Sequence, residues 1–428
     1  MRLMEYTLLL IQHIGQPAVP VVREGDRVCR GQLVAAADGL GADLHASVSG
    51  VVASVDGGKI VLTADEIQPK GFEPVAGETV LDKIRAAGIV GMGGAGFPTW
   101  AKLQSAAPGG VVIANAAECE PILRHNIARI EEDAASLCRG LGYAMQACGA
   151  RRGVIAVKEH HHKAVAALKA ATQGSGISLH LLADMYPMGE ERAVVREVLG
   201  VLLGPDELPS KAGAVVLNTE TLQRVAEAVE QGRPVTGKNL TVAGRLKSGA
   251  ASVVLQDVPL GARVADVLDM AGGLDGDYGE IIMGGPFTGC RVTPGDVVTK
   301  TTGGLIVTMP FLRETRPLGL LVCACGATEA RMREMAGRMG AKVVAVDRCK
   351  QAQEVRGALK CQNPGNCPGQ AQTVLGLKKA GAQALLVGNC SDCSNTVMSV
   401  APKLGLPVYH VTDGALRAMN QRLIRKLK

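Results

Sequence analysis

Glycine and cysteine carry the chemistry that can be read first in this chain. Residues 88–102 run Gly88-Ile-Val-Gly91-Met-Gly93-Gly94-Ala95-Gly96-Phe97-Pro98-Thr99-Trp100-Ala-Lys102. Glycines this dense let backbone N–H groups approach a phosphate or a flat ring with no Cβ in the way. Lys102, six residues past Gly96, can add a point charge to a phosphate. The string is neither a Walker loop nor a GxGxxG dinucleotide fingerprint. The second concentration is sulfur: seven of the 12 cysteines fall between Cys323 and Cys393. They are Cys323-Ala-Cys325, Cys349, Cys361, Cys367 and Cys390-Ser-Asp-Cys393. Thiols crowded into one segment point to redox or metal chemistry.

Three further segments follow the glycine string in order: Asn115-Ala-Ala-Glu118-Cys119-Glu120-Pro121, Tyr186-Pro-Met-Gly189-Glu190-Glu191 and Asn218-Thr219-Glu220-Thr221. Together the four segments resemble the flavin site of the NADH-oxidising flavoprotein subunit of respiratory complex I and of its relative RnfC. The resemblance implies that Gly91, Gly93, Lys102, Asn115, Tyr186, Gly189, Glu190, Asn218 and Thr221 hold FMN. It also implies that Glu118, Glu120 and Glu191 face the nicotinamide nucleotide. Hydride transfer needs the nicotinamide stacked on the flavin at about 3–3.5 Å, so the protein's task is orientation. The chain departs from the complex I pattern at Met92, where that loop has an arginine, and at Ala117, where its acidic segment has an aspartate.

RnfC proteins carry two four-iron clusters on C-x2-C-x2-C-x3-C-P runs, and no such run occurs here. The C-x-x-C of Cys390 and Cys393 lies between a predicted strand and helix, where a helix N-terminus lowers a thiol pKa. Three readings stay open. One is a redox dithiol relay with Cys390, Cys393, Cys323 and Cys325 as the catalytic thiols. Another is an iron–sulfur or zinc site on Cys361, Cys367, Cys390 and Cys393. The third is inert core cysteines. The overall layout is similar to the electron-transfer proteins associated with proline reductase in amino-acid-fermenting anaerobes. That resemblance implies NADH as donor, FMN as cofactor, and a partner reductase such as proline reductase as acceptor. Two alternatives stand beside it: an RnfC-like iron–sulfur subunit of a membrane electron-transport complex, and a scaffold that has lost its flavin.

The strand and helix pattern around these groups is that of an α/β multidomain protein. Residues 1–70 show short strands broken at Glu24-Gly25-Asp26 and Gly31-Gln32, similar to the barrel-sandwich hybrid of lipoyl and biotinyl carriers. No lysine precedes Lys59, so a carrier role is rejected. Residues 75–237 alternate strands (109–115, 152–158, 177–182, 213–218) with helices (127–148, 163–172), as a Rossmann-like FMN/NADH-binding α/β domain would. Residues 238–315 fit a β-grasp (soluble ligand-binding) module, a hairpin followed by a helix at 264–271. Residues 316–428 fit a second, cysteine-rich α/β domain. Its strands are expected at 319–323, 342–346, 383–387 and 406–410, and its helices at 327–339, 369–380, 393–403 and 414–427. Cys29, Cys138 and Cys148 read as small core residues. Glu159-His160-His161-His162 reads as a solvated helix start, because adjacent helical side chains cannot converge on a metal.

Length and composition fit this plan: 428 residues exceed one core, and 20% charged with 47% apolar residues is a globular profile. Aromatics at 2% leave little for base stacking, so no nucleic-acid partner is expected. No apolar run reaches the roughly 18–20 residues of a transmembrane helix. A cytoplasmic location is expected, with peripheral membrane association left open.

Overall fold

The computed structural model describes residues 4–388 and 391–424, and the side chains of 391–395 are left aside. The chain folds into four sheet-centred units. In the first, Glu5–Leu9, Lys59–Ala64, Gly50–Asp56 and Arg27–Val28 form an antiparallel sheet over a smaller one of Val19–Pro20, Leu33–Ala36 and Leu44–His45. The alternation in KIVLTA sends Ile60 and Leu62 inward beside Leu8 and Leu44, all fully buried.

The second unit is an all-parallel sheet in the order Ile177–Leu182, Arg152–Lys158, Val111–Ala116, Ala214–Asn218. Its strands are covered on both faces, as parallel sheets require. Val112 and Ala114 pack with helices Ala134–Cys148 and Thr219–Gln231, while Ile113 and Val154 pack with helix Glu191–Leu199. The two helices on the first face touch at Gly140, where a Cβ would sit 1.9 Å from the Leu222 carbonyl oxygen.

The third unit is a five-stranded sheet in the order Ser252–Pro259, Gly237–Gly244, Gly304–Val307, Ile281–Met283, Cys290–Val292, with helix Val264–Met270. Gly237–Gly244 is buried along its whole length and pairs in parallel with Gly304–Val307. The fourth unit is again parallel: Val343–Arg348, Leu318–Val322, Ala384–Val387, Val408–His410. Helix Glu329–Arg338 covers one face, and helices Ala371–Lys379 and Ser391–Val400 cover the other.

Buried charge ties the units together. Lys300 is fully buried and donates its ammonium to the carbonyls of Asp43 (2.6 Å) and Gly88 (2.7 Å). Burial pushes its pKa down to about 7. Lys238 and Glu220, also buried, form an ion pair, and a Glu220 oxygen accepts from the Asn239 N–H.

Three expectations are corrected. The helix expected over 127–148 is two helices, His125–Glu132 and Ala134–Cys148, because Asp133 leaves helical geometry and caps Ser136 N. The helix expected over 414–427 is confined, among the described residues, to Asp413–Ala418, with Asn420 at φ 54° just beyond it. Cys29 is exposed; Cys138 and Cys148 are buried. His162 opens helix His162–Ala171, with His160 and His161 in the turn before it.

Candidate functional site

The glycine string closes into a loop at the carboxyl edge of the second sheet, where ligands of open α/β sheets collect. Gly91 N–H donates to Phe97 O (2.9 Å) and Gly96 N–H to Gly91 O (3.1 Å). Gly94 has φ 145°, which L side chains rarely adopt, and a Cβ there would meet nothing within 4 Å. The backbone of Gly93–Ala95 is therefore exposed, and at Gly94 nothing obstructs it.

The loop sits on the first turn of helix Thr219–Gln231. Met92 N–H donates to Thr221 Oγ1 (3.0 Å), whose hydroxyl donates to Val90 O (3.2 Å). Asn218 caps that helix, accepting from Glu220 N–H at 2.9 Å. A Cβ on Gly93 would lie 2.6 Å from Asn218 Nδ2, so glycine is needed for this contact. In the same turn the buried hydroxyl of Thr219 has no hydrogen-bond partner among the described residues.

Asn115 lies opposite Asn218, one residue before the end of the neighbouring strand. Its Nδ2 donates to Gly189 O (2.8 Å) and its Oδ1 accepts from Ala117 N–H. Glu190 caps helix Glu191–Leu199, accepting from the N–H groups of Arg192 and Ala193. Lys102 pairs with Glu191 at 2.5 Å. Tyr186 stacks on Phe287, with ring centroids 3.8 Å apart.

The acidic segment divides. Glu118, at φ 33°, accepts from Asn126 Nδ2 (3.0 Å), and burial raises its pKa to about 7. Both oxygens of Glu120 are engaged by the loop after Met283: Phe287 N–H (2.8 Å), Thr288 N–H (2.9 Å) and Thr288 Oγ1 (2.6 Å). Between them, Cys119 Sγ accepts from Gly189 N–H at 2.6 Å.

The structure brings the glycine loop, Asn115, Gly189, Asn218 and Thr221 into one bonded set, with Lys102 and Glu191 as a pair. Glu120 bonds instead to a loop more than 160 residues away in sequence. Sequence reasoning missed three contributors. Phe287 lies in the same buried cluster as Tyr186, Cys323 and Cys349. Arg192 donates to Cys361 O (2.8 Å), and Arg196 donates to Asn363 Oδ1 (2.5 Å) and Pro364 O (2.7 Å). The only signal for these arginines was their place just after Glu190-Glu191.

Among the cysteines, the sulfurs of Cys323 and Cys325 are 3.5 Å apart. Cys367 Sγ accepts from Gly369 N–H and Gln370 Nε2, and Cys361 Sγ contacts Gln351 Oε1. Cys390 and the Cys393 side chain lie outside the described residues, so the Cys390/Cys393 pair and the set Cys361, Cys367, Cys390, Cys393 do too. Among the described residues, no group of three or more His, Cys, Asp or Glu side chains is arranged to hold a metal. No described helix is long and apolar enough to cross a membrane.

Residues 84–227 match the Nuo51 FMN-binding domain, and residues 3–66 match the RnfC barrel-sandwich hybrid domain. Cobalamin reductase PduS of Salmonella typhimurium is 35% identical over 360 residues, covering 81% of this chain and 74% of that protein. The chain belongs to the RnfC-like family. An RnfC-type component of the Na(+)-translocating ferredoxin:NAD(+) oxidoreductase complex of Acetobacterium woodii is 31% identical, over 73% of this chain and 75% of that component. PduS of Citrobacter freundii is 42% identical over 231 residues, 54% of this chain and 50% of that one. As an RnfC-like protein the chain is an electron-transfer oxidoreductase with an FMN-binding α/β domain and an N-terminal barrel-sandwich hybrid.

The residues present fit an FMN. The loop offers open backbone at Gly94, Lys102 lies nearby, and a buried hydroxyl at Thr219 lacks a partner among the described residues.

Proposed function

We propose that this RnfC-like chain oxidises NADH at its glycine loop and delivers the electrons to its C-terminal cysteines and on to a partner reductase. FMN, when bound, supplies the hydride-accepting ring and releases electrons onward. Gly91 and Gly93 keep the loop backbone clear for it, while Thr221, Asn218, Asn115 and Gly189 fix the loop against the two strand ends. Lys102, held by Glu191, presents positive charge to the phosphate. Tyr186 and Glu190 shape the turn on the far side. Glu118 and Glu191 are assigned to the nicotinamide nucleotide. Glu120 is assigned a positioning role on the 284–289 loop, because both its oxygens are already engaged.

One observation carries the proposal. Tyr186 of the flavin-side turn, Phe287, Cys323 and Cys349 share one buried cluster, with Cys119, Cys325 and Cys367 packed against it. The arginine clamps from helix Glu191–Leu199 to Cys361, Asn363 and Pro364 hold the two units in that contact. Electrons leaving the flavin site thus meet thiols at once. We read residues 1–70, 75–237, 238–315 and 316–428 as four units. The third is a β-grasp module by its hairpin, helix and parallel return strand, and the fourth is a redox domain. Proline reductase is the candidate acceptor suggested by the layout.

An anaerobic absorbance spectrum before and after NADH, followed by a thiol count, tests this. Flavin absorbance that bleaches, with new thiols appearing, is the expected result. Bleaching without thiols but with a broad iron–sulfur band would replace the dithiol route by the cluster route of an RnfC-like iron–sulfur protein. Protein that takes up no FMN on reconstitution would remove the central claim.

A further inference from the structure

Cys349 takes its role from strand register and, on the flavin-to-thiol reading above, from the electrons that reach it. Strands Leu318–Val322 and Val343–Arg348 pair in parallel with Val322 opposite Arg348. The pairing runs one residue further, because Cys349 N–H donates to Val322 O at 2.9 Å. Cys323 and Cys349 therefore leave adjacent strand ends opposite each other. Neighbouring strands lie about 4.8 Å apart, inside the roughly 4.4–6.8 Å Cα window that a disulfide spans. Both side chains pack into one buried cluster with Tyr186 and Phe287. The Cys325 sulfur lies 3.5 Å from that of Cys323. Cys323 and Cys349 are 3% and 4% exposed, whereas Cys325 is only half-buried.

We propose that these three residues form a thiol-exchange site in which Cys323 is the shared sulfur, Cys325 the outer thiol and Cys349 the inner one. Cys325, as thiolate, attacks a disulfide on a partner protein and forms a mixed disulfide. Cys323 then attacks the Cys325 sulfur, which makes the Cys323–Cys325 bond and releases the partner as a dithiol. Cys349 next attacks the Cys323 sulfur. The Cys323–Cys349 bond forms, the Cys323–Cys325 bond breaks, and the Cys349 proton passes to the leaving Cys325 sulfur. This last exchange moves no electrons; it draws the disulfide inward and restores the outer thiol. Two electrons from NADH, with two protons, reopen the inner bridge to two thiols. The Cys323 sulfur and burial push the Cys349 pKa up, which slows its attack but favours the Cys323–Cys349 bond at equilibrium, the more accessible Cys325 being the better leaving group.

The test uses the full chain, oxidised with diamide, denatured under alkylating agent and mapped by mass spectrometry, with and without prior NADH. Wild type, Cys325→Ser and Cys349→Ser are compared, each at wild-type FMN content. The expected result is a Cys323–Cys349 bridge in wild type and in Cys325→Ser, and a Cys323–Cys325 bridge alone in Cys349→Ser. Cys349 fully alkylated in oxidised wild type and in Cys325→Ser would overturn the three-thiol site. A Cys323–Cys349 bridge that forms yet survives NADH would instead overturn the flavin-to-thiol reading on which the site's reduction depends.

Discussion

Gly93→Ala is the sharpest perturbation of the glycine loop. The new methyl would sit 2.6 Å from Asn218 Nδ2, 2.9 Å from its Cγ and 3.0 Å from its Cβ. Rotation of the amide alone cannot relieve all three contacts, so loop or helix must shift. Displacing Asn218 forfeits the cap on Glu220 N–H, worth about 1 kcal/mol, and the residual overpacking adds about 1–3 kcal/mol. The expected loss of stability is about 2–4 kcal/mol by urea unfolding of the FMN-free protein. Because loop and cap move together, FMN affinity should fall roughly tenfold or more, equivalent to about 1.4 kcal/mol, as read by flavin fluorescence quenching. Asn218→Ala alone should cost only the cap, about 1 kcal/mol. In the double variant the contacts at 2.6 and 2.9 Å are gone and only the one with Cβ at 3.0 Å remains, so the combined loss should be smaller than the sum by at least about 1 kcal/mol. Strict additivity, or wild-type FMN affinity in Gly93→Ala, would refute the steric argument.

Three further outcomes are expected. His45 is buried and its pKa is lowered to about 3, chiefly by burial and then by the Lys300 ammonium. The unfolded chain therefore takes this proton first as pH falls below about 6.5, and stability present above that pH is lost progressively toward 3. Roughly 2–3 kcal/mol should be gone by about pH 4.5 in denaturant titrations, and His45→Gln should flatten that slope. Lys238→Met leaves the buried Glu220 carboxylate with only the Arg224 guanidinium at 3.6 Å and should cost up to about 3–5 kcal/mol by thermal or urea unfolding, whereas replacing both Lys238 and Glu220 should cost less. Arg196→Ala frees the loop at Asn363 and Pro364; NADH should still bleach the flavin at the wild-type rate, while thiols should appear at least tenfold more slowly in a rapid-quench count.

Local pattern made much of the scaffold legible. The strands Arg152–Lys158 and Ile177–Leu182 coincide with their β-branched and leucine runs, and the parallel sheet followed from their alternation with helices. Errors arose where a single side chain outvoted a pattern. Asp133 reads as an ordinary polar helix residue until its carboxylate is seen capping Ser136 N–H. The last helix was expected to run on past Ala418 to 427, but the chain turns at Asn420. The residues proposed for the flavin side stood out because each lies within a short motif. Their partners did not, because Tyr186 and Phe287, Glu120 and Thr288, or Arg192 and Cys361 are separated by 100 residues or more, and no local period records such pairs. Cys349 looked like one cysteine among several until strand register set it opposite Cys323.

The N-terminal unit reaches under the glycine loop. Ile14 N–H donates to Gly96 O at 3.0 Å, Gln12 Oε1 accepts from Lys300 N–H, and the Lys300 ammonium spans Asp43 O and Gly88 O. A boundary that is plain in sequence is thus no seam in the folded molecule. Severing the chain near residue 70 would strand an ammonium in an apolar interior and take away the floor on which the loop is shaped. The carrier-like barrel serves here as a jig: through Ile14, Gln12 and Asp43 it holds the curvature of the glycine loop.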